Sequence, residues 1–373
     1  ALATQLAPHG FSIALVEAQA PVAYDLSQPF DLKVCALSPK SAQVMQQSQA
    51  WDILQSMRLC PYKRMRVWEM SGFGDLMFSA SQAGVTELGH IVENRLVQLS
   101  LWQSLQSKDN VKVICPASPK TLHHVGRVTH IELDNGVSLT ARLVVGADGA
   151  QSKVRQAFGI GVNRGQYQQA CLVASVNTQL GQQDITWQRF VSTGPQAFLP
   201  LLGQHGSVVW YHQADKARAL SNLSHEHLAD EIMAQFPRQL GPIEVTAKAS
   251  FGLQKQHAHT YCADGMVLIG DAAHVINPLA GQGVNLGFQD VASLASVLTY
   301  ARTNGEDWST EGVLMRYQKQ RKLANSVMLH SMDAFHHGFS NSNVKTKWLR
   351  NLALSSAKIP VIKRQVIRYA MGI

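Results

Sequence analysis

The segment GDAAHVINPLAGQGVNLG, residues 270–287, places an aspartate, a histidine, two asparagines, a proline and four glycines within eighteen residues. It directly follows the short apolar run Met266–Ile269, which predicts a buried strand, and apolar residues recur at helical spacing from Gly283 to Leu294. The segment is therefore predicted to be a glycine-rich turn between a strand and a helix. The free N–H groups at the start of such a helix suit an anionic ligand, although the glycines alone fit a tight turn in any α/β protein equally well.

Two other segments carry residues suited to the same chemistry. The strand predicted over Phe11–Val16 is followed by Glu17, and an acidic residue at that place in a dinucleotide-binding fold hydrogen-bonds a ribose. The G-x-G-x-x-G turn of such a fold lies about 20 residues before the acid, so we expect it, with the first strand, upstream of residue 1. Another predicted strand, Leu143–Val145, runs into GADGAQSKVR at residues 146–155.

Composition narrows the class of protein. The chain has 373 residues, of which 46% are hydrophobic and 16% charged, as is typical of a globular protein with about two domains. Its five cysteines are scattered without a C-x-x-C pair, which argues against a disulfide framework or a metal site and favours a reducing compartment. No run approaches the ~20 apolar residues that a membrane-spanning helix needs.

The formal net charge of +8 is concentrated near the C-terminus. Residues 341–373 contain no acidic residue and seven basic ones, namely Lys345, Lys347, Arg350, Lys358, Lys363, Arg364 and Arg368. Such a segment binds an anionic membrane surface, an acidic partner or nucleic acid, or is simply solvated. No nucleic-acid-binding motif accompanies it, so nucleic acid is not an expected partner.

The pattern of elements predicts a discontinuous α/β domain with an insertion. Ser38 is a candidate N-cap for one helix that continues to Leu54, and VENRLVQLSLWQSLQS predicts an amphipathic helix. Between Tyr167 and Thr260, short alternating segments predict a mainly antiparallel sheet interrupted by one helix, HEHLADEIMAQF. From Asp290 onward the chain is predicted to be helical.

The strand ending in Glu17, GADGAQSKVR and GDAAHVINPLAGQGVNLG together resemble, in order and spacing, the class A FAD-dependent aromatic hydroxylases. In that family, which has the para-hydroxybenzoate hydroxylase fold, the D-G and G-D segments both contact FAD. The resemblance covers essentially the whole chain and implies an α/β (α+β) fold: a Rossmann-like FAD-binding domain, an inserted mainly antiparallel β-sheet substrate domain and a helical C-terminus. We expect the FAD-binding domain, lacking its first βα unit, at 1–60, 90–165 and 261–340, the substrate domain at 61–89 and 166–260, and a basic helical segment at 341–373.

Within that class, VENRLVQLSLWQSL, GADGAQSKVRQAFGIGV and INPLAGQGVNLGFQDV look like the ubiquinone-biosynthesis hydroxylases. QPFDLKVCALSP, TWQRFVSTGPQAFLPL and the ending KRQVIRYAMGI are similar to the subgroup that hydroxylates a polyprenylated methoxy-benzoquinol. The resemblance implies that NAD(P)H reduces FAD, that O2 gives a C4a-hydroperoxide, and that the electron-rich ring takes its terminal oxygen. NAD(P)H is expected to dock transiently, because no second G-x-G-x-x-G is present.

The resemblance also implies site residues. Pro278, Gly281, Gln282 and Gly283 are expected to position the flavin ring, since small residues let backbone N–H groups approach it. His274 is a candidate catalytic residue that is equally explained, like Asn277, as part of a turn. The residues expected to bind the cofactor are Glu17, Lys33, Asn94, Asp148, Gly149, Arg155, Gly270, Asp271, Gly281, Gly283 and Asn285.

Several of these residues have a specific expected partner. Asp271 is expected to bind a ribityl hydroxyl and Arg155 to reach a phosphate. Lys33 stands where relatives usually carry an arginine, and it keeps the charge without the bidentate fork. Arg95 and Gln98 are explained equally well as a polar helix face. Aromatic residues on the β insert are divided between core and an aromatic pocket: Trp187, Phe190, Phe198, Trp210 and Tyr211.

The expected partners follow from the implied substrate. A polyprenyl benzoquinol is nearly insoluble in water, so a membrane or a lipid-binding partner must deliver it, and O2 is the co-substrate. The basic segment 341–373 suits a membrane surface or an acidic partner in a ubiquinone-biosynthesis complex. We therefore expect a cytoplasmic protein that is peripheral at the inner face of the cytoplasmic membrane.

Two alternatives stay open at the level of sequence. An enzyme of the same fold could hydroxylate another ring position or a soluble phenol. Alternatively, the chain is a non-catalytic structural subunit or an apo fragment of a biosynthetic complex. A chain without the phosphate-binding turn is expected to bind FAD weakly and to be inactive.

Overall fold

A computed structural model describes residues 1–70, 75–276 and 283–339, with side chains up to Asp333. The basic segment 341–373 lies outside the described residues. So do four residues of the glycine-rich turn for which the sequence predicts a role, namely Asn277, Pro278, Gly281 and Gln282. Within the ranges that are described, no helix has both the length and the apolar character needed to cross a bilayer.

The helices and strands follow one another in three groups. The first group is α1 (Leu2–Leu6), β1 (Ile13–Val16), β2 (Val34–Leu37), α2 (Pro39–Gln47), α3 (Trp51–Ser56), β3 (Cys60–Tyr62), β4 (Arg64–Glu69), β5 (Asp75–Ser79), α4 (Ala80–Ala83), β6 (Gly89–Glu93), α5 (Asn94–Leu105) and β7 (Val111–Ile114). The second is β8 (Pro119–Val125), β9 (Val128–Leu133), β10 (Ser138–Ala141), β11 (Val144–Gly146), α6 (Lys153–Ala157), β12 (Val162–Thr178), β13 (Ile185–Val191), β14 (Gly194–Pro200) and β15 (His205–Gln213). The third is α7 (Ala214–Asn222), α8 (His225–Gln235), β16 (Ile243–Ala258), β17 (Cys262–Ala263), β18 (Met266–Leu268), β19 (His274–Val275), α9 (Gly283–Thr303) and α10 (Glu311–Phe339).

Eight of these strands form one large sheet in the order β19–β16–β12–β15–β14–β13–β4–β5. Its neighbours are antiparallel apart from β4 and β13, which confirms the mainly antiparallel sheet predicted from the sequence. β12 and β16 pair along almost their whole length, from Val162 opposite Ala258 to Thr178 opposite Ile243. These two strands are the longest of the sheet and lie next to its β19 edge.

Helices cover one face of the large sheet. Side chains from β12 and β15, including Ala174, Val208 and Trp210, pack there with Leu228 and Ile232 of α8 in a buried cluster. The sequence predicted one helix in this region, whereas the structure has two. The additional helix is α7, in which only Ala217 and Leu220 are buried, so its amphipathic pattern is too brief to be recognised in the sequence.

The α/β part contains two separate parallel pairings, β1 with β7 and β11 with β18. Met266, Val267 and Leu268 of β18 are fully buried, which confirms the predicted buried strand. Helices α2, α9 and α10 contribute to the same hydrophobic core. Because β11 and β18 are parallel neighbours, the chain segments that follow them both start at the same edge of their sheet.

The helix predicted from Ser38 to Leu54 is instead two helices. The N-cap prediction is confirmed, since the Ser38 hydroxyl accepts a hydrogen bond from the Ser41 amide at 3.3 Å. α2 ends at Gln47, and Gln49 adopts a left-handed conformation with φ of 56°. A left-handed residue just beyond a helix turns the chain out of the helical path, so α3 starts in a new direction.

Candidate active site

The two glycine–aspartate segments leave neighbouring strands. Gly146 at the end of β11 lies opposite Leu268 in the parallel pairing with β18, and the Ile269 amide donates to the Gly146 carbonyl oxygen over 3.0 Å. Because both strands end at the same edge, the segments that follow them lie side by side. This edge is where α/β folds bind their ligands.

Arg155 of α6 joins these two segments. Its Nη1 donates to the Ala272 carbonyl oxygen at 2.8 Å and its Nη2 donates to the Ala150 carbonyl oxygen at 2.9 Å. The residue is only 1% exposed. The structure thus differs from the predicted phosphate contact, because the guanidinium is enclosed and its hydrogen bonds hold the two turns together.

Two glycines of the turns adopt backbone conformations that other residues rarely take. Gly149 has φ of 79° and Gly270 has φ of 58°, both in the left-handed region that favours glycine. No described heavy atom lies within 4 Å of the position that a β-carbon would take at either residue. Glycine is therefore favoured at both positions by the left-handed backbone conformation, and the space next to each glycine is open.

The two aspartates of these turns are used differently. Asp148 accepts hydrogen bonds from the Ser152 hydroxyl and, at 3.1 Å, from the Val154 amide, so its carboxylate shapes the start of α6. Asp271 is exposed and forms no hydrogen bond or ion pair within the described parts of the chain. Surrounding protein atoms desolvate its carboxylate from the remaining sides and raise its pKa. Asp271 is thus free to bind a ligand.

Lys33 and Asn94 lie together where β2 begins and α5 begins. The Asn94 amide donates to the Lys33 carbonyl oxygen at 3.0 Å, and the Lys33 side chain is exposed. The Asn94 side-chain oxygen Oδ1 is buried and has no hydrogen-bond partner among the described residues. A buried acceptor that lacks a hydrogen-bond partner indicates a donor that does not belong to the chain, such as a bound ligand or water.

Asn285 near the start of α9 was predicted to bind the cofactor. Its Oδ1 accepts hydrogen bonds from the Ser38 amide at 2.9 Å and the Ser41 hydroxyl at 2.6 Å, and its Nδ2 donates to the Ala36 carbonyl oxygen at 2.8 Å. The side chain is 1% exposed. It therefore fastens α9 to β2 and α2. Gly283 is the first residue of α9.

Three further predicted positions lie on the surface around this region. Glu17 follows β1 and accepts a hydrogen bond from the Gln19 amide at 3.1 Å. The Arg95 guanidinium Nε donates to the Asp31 carboxylate at 3.0 Å, and Gln98 is exposed on α5. Arg95 is thus held by an ion pair, as expected for a polar helix face.

A cavity of about 500 Å³ lies between the 24–30 loop and the large sheet. Residues of the 24–30 loop form one wall, and β12, β16 and the turn between β14 and β15 form the opposite wall. Arg58 lines the cavity, and its Nε donates to the Glu93 carboxylate at 2.7 Å, with a second contact of 2.9 Å from Nη2. Because Glu93 directly precedes Asn94, this ion pair connects the cavity to the predicted cofactor edge.

The cavity wall is held together by the same arginine. Arg58 donates to the carbonyl oxygens of Gln28 and Pro29 at 2.8 and 2.9 Å, and its guanidinium carbon lies 3.9 Å from the centre of the Phe30 ring. The paired carboxylate neutralises its charge, so Arg58 supports the 24–30 loop and does not offer a free cation.

The aromatic residues predicted to lie partly in a pocket are all core residues. All five are at least nine-tenths buried in packing clusters and none lines the cavity: Trp187, Phe190, Phe198, Trp210 and Tyr211. The aromatic lining comes instead from Tyr24 and Phe30. Strand alternation alone does not separate a covered sheet face from one that borders a cavity, which explains the difference.

Comparisons with known proteins identify the family. Residues 121–331 match the family described as FAD binding domain. The Escherichia coli K12 protein named 3-demethoxyubiquinol 3-hydroxylase is 41% identical, over 100% of this chain and 95% of that protein. The human mitochondrial ubiquinone biosynthesis monooxygenase COQ6 is 30% identical over 97% of this chain and 87% of that protein. The chain belongs to the FAD-dependent hydroxylases of ubiquinone biosynthesis.

Solved structures confirm the fold of this hydroxylase. The p-nitrophenol 4-monooxygenase PnpA of Pseudomonas putida DLL-E4 matches with a TM-score of 0.79 at 18% identity, over 99% of this chain and 94% of that one. HpxO of Klebsiella pneumoniae, as an R204Q variant complexed with FAD, matches with a TM-score of 0.72 at 14% identity, over 98% and 94%. These similarities confirm the predicted aromatic-hydroxylase fold, while the domain boundaries proposed from the sequence stay a prediction.

The residues present in the hydroxylase fit FAD. The Oδ1 of Asn94, buried and unpaired among the described residues, can accept a hydrogen bond from a polar group of the cofactor, and Asp271 offers a carboxylate that has no hydrogen-bond partner among the same residues. The open space beside Gly149 and Gly270 lets a ligand approach the backbone closely. These four residues fit the described part of an FAD site, with Lys33 at its edge, and their contacts with the cofactor stay a prediction.

A buried charge cluster behind Gly270 was not predicted. Asp290 of α9 is 0% exposed and accepts hydrogen bonds from His274 Nε2 at 2.5 Å and Arg321 Nε at 2.8 Å. It also accepts from the Gly270 amide at 3.0 Å and from Asn325 Nδ2 at 3.2 Å. His274, a candidate catalytic residue, thus lies inside the protein as a partner of Asp290.

This cluster, consisting of His274, Asp290, Arg321 and Asn325, ties the G-D turn to α9 and α10. Its only sequence signal is a single aspartate among the apolar residues of α9, with Arg321 and Asn325 one helical turn apart on α10. Burial opposes ionisation of Asp290, but the charges and hydrogen bonds of His274 and Arg321 outweigh it and lower its pKa. The hydroxylase therefore keeps a buried carboxylate behind its FAD turn.

His257 makes the stability of the hydroxylase depend on pH. Burial lowers its pKa to about 4, and His274, Lys322 and His330 add to the effect. The neutral ring accepts a hydrogen bond from the Tyr261 hydroxyl at 2.7 Å. Unfolded histidine takes up a proton near pH 6.5, so the unfolded state binds more protons between about pH 6.5 and 4. The free energy of unfolding should therefore fall as the pH drops through that window.

The variant His257→Gln tests this expectation by urea unfolding at several pH values. Glutamine can still accept from Tyr261 but does not titrate, so the slope below about pH 6.5 should become shallower than in the wild type. His227→Gln, on the exposed side of α8, is the matched control and should leave the slope unchanged. Equal slopes for His257→Gln and the wild type would contradict the assignment.

Proposed function

We propose that the protein hydroxylates the ring of a polyprenylated benzoquinol in ubiquinone biosynthesis, with FAD, NAD(P)H and O2. The observation that carries the proposal is the cavity linked to the Asn94 edge by the Arg58–Glu93 ion pair, which has a neutral polar interior and an apolar mouth. The similarity to hydroxylases named for ubiquinone biosynthesis supports the same class of substrate.

The charge state of the cavity favours a neutral ring. Arg58, a cation in its lining, is paired with Glu93. Burial, with Arg58 nearby, lowers the pKa of His205, so the imidazole of this lining residue is neutral near pH 7. An aromatic acid would bring its carboxylate into this cavity without an available counter-ion, which is costly. A benzoquinol brings only neutral oxygen atoms.

The mouth of the cavity favours an apolar substituent on that ring. Leu26 and Leu202 line the cavity, yet they are 82% and 46% exposed. Large apolar side chains at an opening gain free energy when an apolar chain covers them. We propose that the polyprenyl tail leaves the cavity over these two residues.

The residues of this chain bind and shield the reactants. When bound, FAD supplies electron transfer from NAD(P)H and the activation of O2. Asp271 and Asn94 hold the cofactor, and Arg155 keeps its two binding turns in contact. The 24–30 loop, fastened by Arg58, closes one wall of the cavity and limits the access of water to the reacting ring.

Product analysis tests the function. The FAD-loaded protein is incubated with NADH or NADPH and a methoxy-methyl-benzoquinol carrying a short prenyl chain, and mass spectrometry should find one added oxygen in the ring. Asp271→Ala should weaken FAD binding by about 10–100-fold, because a hydrogen bond to a charged group is lost. Asp230→Ala, an exposed aspartate on α8, should behave as the wild type. Oxidation of NAD(P)H without a ring product, or preferred hydroxylation of para-nitrophenol, would refute the proposal.

We also propose that the hydroxylase works as a peripheral protein at the inner face of the cytoplasmic membrane, in contact with other enzymes of the pathway. Two features support this: the nearly insoluble substrate, and two exposed apolar residues, Leu26 on the 24–30 loop and Val22 just before it. The basic segment 341–373 would add attraction to anionic lipid. Failure of the protein to sediment with vesicles containing anionic lipid would refute this location.

A further inference from the structure

His205 is the first residue of β15, and it lines the cavity. Its carbonyl oxygen accepts a hydrogen bond from the Leu201 amide at 2.9 Å. In the antiparallel pairing of β12 with β15, His205 lies opposite Asn177, which also lines the cavity. The backbone of His205 is therefore fixed on one side by the turn between β14 and β15 and on the other side by β12.

The imidazole ring of His205 is oriented by the opposite wall of the cavity. Its centre lies 4.6 Å from the centre of the Phe30 ring, and the two ring planes form an angle of 43°. Phe30 also contacts the Arg58 guanidinium, whose carbon lies 3.9 Å from the ring centre. Contacts between aromatic rings at such distances favour particular orientations, so the imidazole is held between the large sheet and the 24–30 loop.

The ring nitrogens of His205 are available to a molecule in the cavity. Neither nitrogen has a hydrogen-bond partner among the described residues, and neither is closed off from solvent, since the residue is only partly buried. Burial and the nearby Arg58 lower the pKa of the imidazole, so the ring is neutral at pH 7. A neutral imidazole offers one N–H donor and one bare nitrogen that accepts.

The other polar side chains of the cavity lining are engaged or out of reach. Arg58 is paired with Glu93, and the Ser27 hydroxyl donates to the Asp25 carboxylate at 2.6 Å. The Thr246 hydroxyl donates to a backbone carbonyl oxygen at 3.1 Å. Among the described lining residues, His205 is therefore the one whose side chain is both unpaired and accessible. Four other polar atoms of the lining are unpaired among the described residues but closed off from solvent: Tyr24 Oη, Gln28 Nε2, Ser175 Oγ and Asn177 Oδ1.

We propose that His205 forms a hydrogen bond with an oxygen substituent of the substrate ring and selects rings that carry such an oxygen. The proposal rests on the function proposed above and names the side chain that recognises the ring. A neutral imidazole accepts from a ring hydroxyl and donates to a methoxyl or quinone oxygen. A ring without an oxygen at this position leaves the imidazole unpaired and loses binding free energy.

The role of His205 is tested by comparing two probes on the FAD-loaded protein without NAD(P)H, so that neither probe is consumed. One probe is a methoxyphenol with a short prenyl chain, and the other has a hydrogen atom in place of the phenolic hydroxyl. Isothermal titration calorimetry gives the dissociation constants for the wild type, His205→Phe and His205→Gln. The Phe variant keeps a ring against Phe30 but removes both nitrogens, whereas the Gln variant keeps a donor and an acceptor. His123→Phe, at an exposed histidine on β8, is the matched control.

We expect His205→Phe to weaken binding of the phenol by about 10-fold and binding of the probe without the hydroxyl by less than about 2-fold. His205→Gln should retain part of the preference for the phenol, and His123→Phe should behave as the wild type. FAD content should stay at the wild-type level in all variants. An equal effect of His205→Phe on both probes, or no effect on either, would overturn the inference while leaving the proposed function intact.

Two further results keep the test decisive if His205→Phe does not fold. His205→Leu also removes both nitrogens and makes the same comparison, and equal affinity of the wild type for the two probes would by itself overturn the inference. Failure of the wild type to bind either probe would refute the proposed function and this inference together. That outcome is distinguishable from failure of the inference alone, in which the wild type binds the probes but His205 does not separate them.

Discussion

Replacing Asp290 by asparagine should lower the free energy of unfolding by about 3–5 kcal/mol at pH 7. The fully buried carboxylate accepts hydrogen bonds from both His274 and Arg321. Asparagine keeps the shape but removes the charge and turns one acceptor into a donor. Arg321 would then be a buried cation without a counter-ion, which is among the most costly single changes in a protein core.

Urea unfolding of the FAD-free and FAD-loaded protein measures this effect. Asp230→Asn, on the surface of α8, is the matched control and should change stability by less than about 0.5 kcal/mol. The double variant Asp290→Asn with Arg321→Met should recover part of the loss, because it removes the unpaired cation. A change below about 1 kcal/mol for Asp290→Asn alone would show that the cluster is not a paired buried charge.

The pH dependence of this effect has a defined sign. The pKa of Asp290 is lowered in the folded protein, so its contribution is present above the ordinary aspartate pKa of about 3.9. The contribution is lost as the pH falls through the lowered folded-state value. The difference between the wild type and Asp290→Asn should therefore shrink in strong acid.

Replacing Arg155 by methionine should both destabilise the protein and release FAD. Methionine approximately fills the space of the side chain but removes the arginine donor from the Ala272 carbonyl oxygen and leaves the Ala150 carbonyl oxygen with the Gln256 amide as its donor. Each is bonded by a charged group, and losing two such hydrogen bonds should cost about 3–6 kcal/mol. Because Arg155 holds the two cofactor turns together, FAD affinity should fall by more than about 10-fold.

The variant Arg155→Lys distinguishes the effect of the positive charge from the effect of the guanidinium's two-pronged shape. Arg155→Lys keeps the charge but lacks the fork that reaches two carbonyl groups, so its FAD affinity and stability should lie between those of Arg155→Met and the wild type. Arg238→Met, at an exposed arginine outside the cofactor turns, is the control. Fluorescence titration with FAD and urea unfolding provide the measurements. Wild-type affinity in Arg155→Lys would contradict the role of the two-carbonyl bridge.

The parts of the fold set by local pattern were predictable. The buried run before Gly270, the amphipathic helix α5 and the alternating segments of the large sheet are each visible in a short window of residues. The single helix predicted from Ser38 to Leu54 was wrong because one left-handed residue, Gln49, divides it. Nothing in the local composition marks that residue as a break.

The site was predictable only where a glycine or an aspartate belongs to a turn. Gly149, Gly270 and Asp271 were found in this way. Arg155 was found as a residue, but its partners lie in two turns that meet only after the strands pair. The cluster around Asp290 and the Arg58–Glu93 pair were missed for the same reason, since a buried ion pair depends on which helices and loops pack together.

The long pairing of β12 with β16 has a consequence for how this fold diversifies. At one end, Gln256 of β16 donates to the Ala150 carbonyl oxygen at 3.0 Å, next to the cofactor turns. At the other end, Ser175 and Thr246 line the cavity. The two ends are separated by a long paired stretch that contains a register shift between Gln166 and Ala170, so side chains at the cavity end can be exchanged without disturbing the cofactor end. Such an arrangement lets evolution change the accepted ring while keeping the same oxidising machinery.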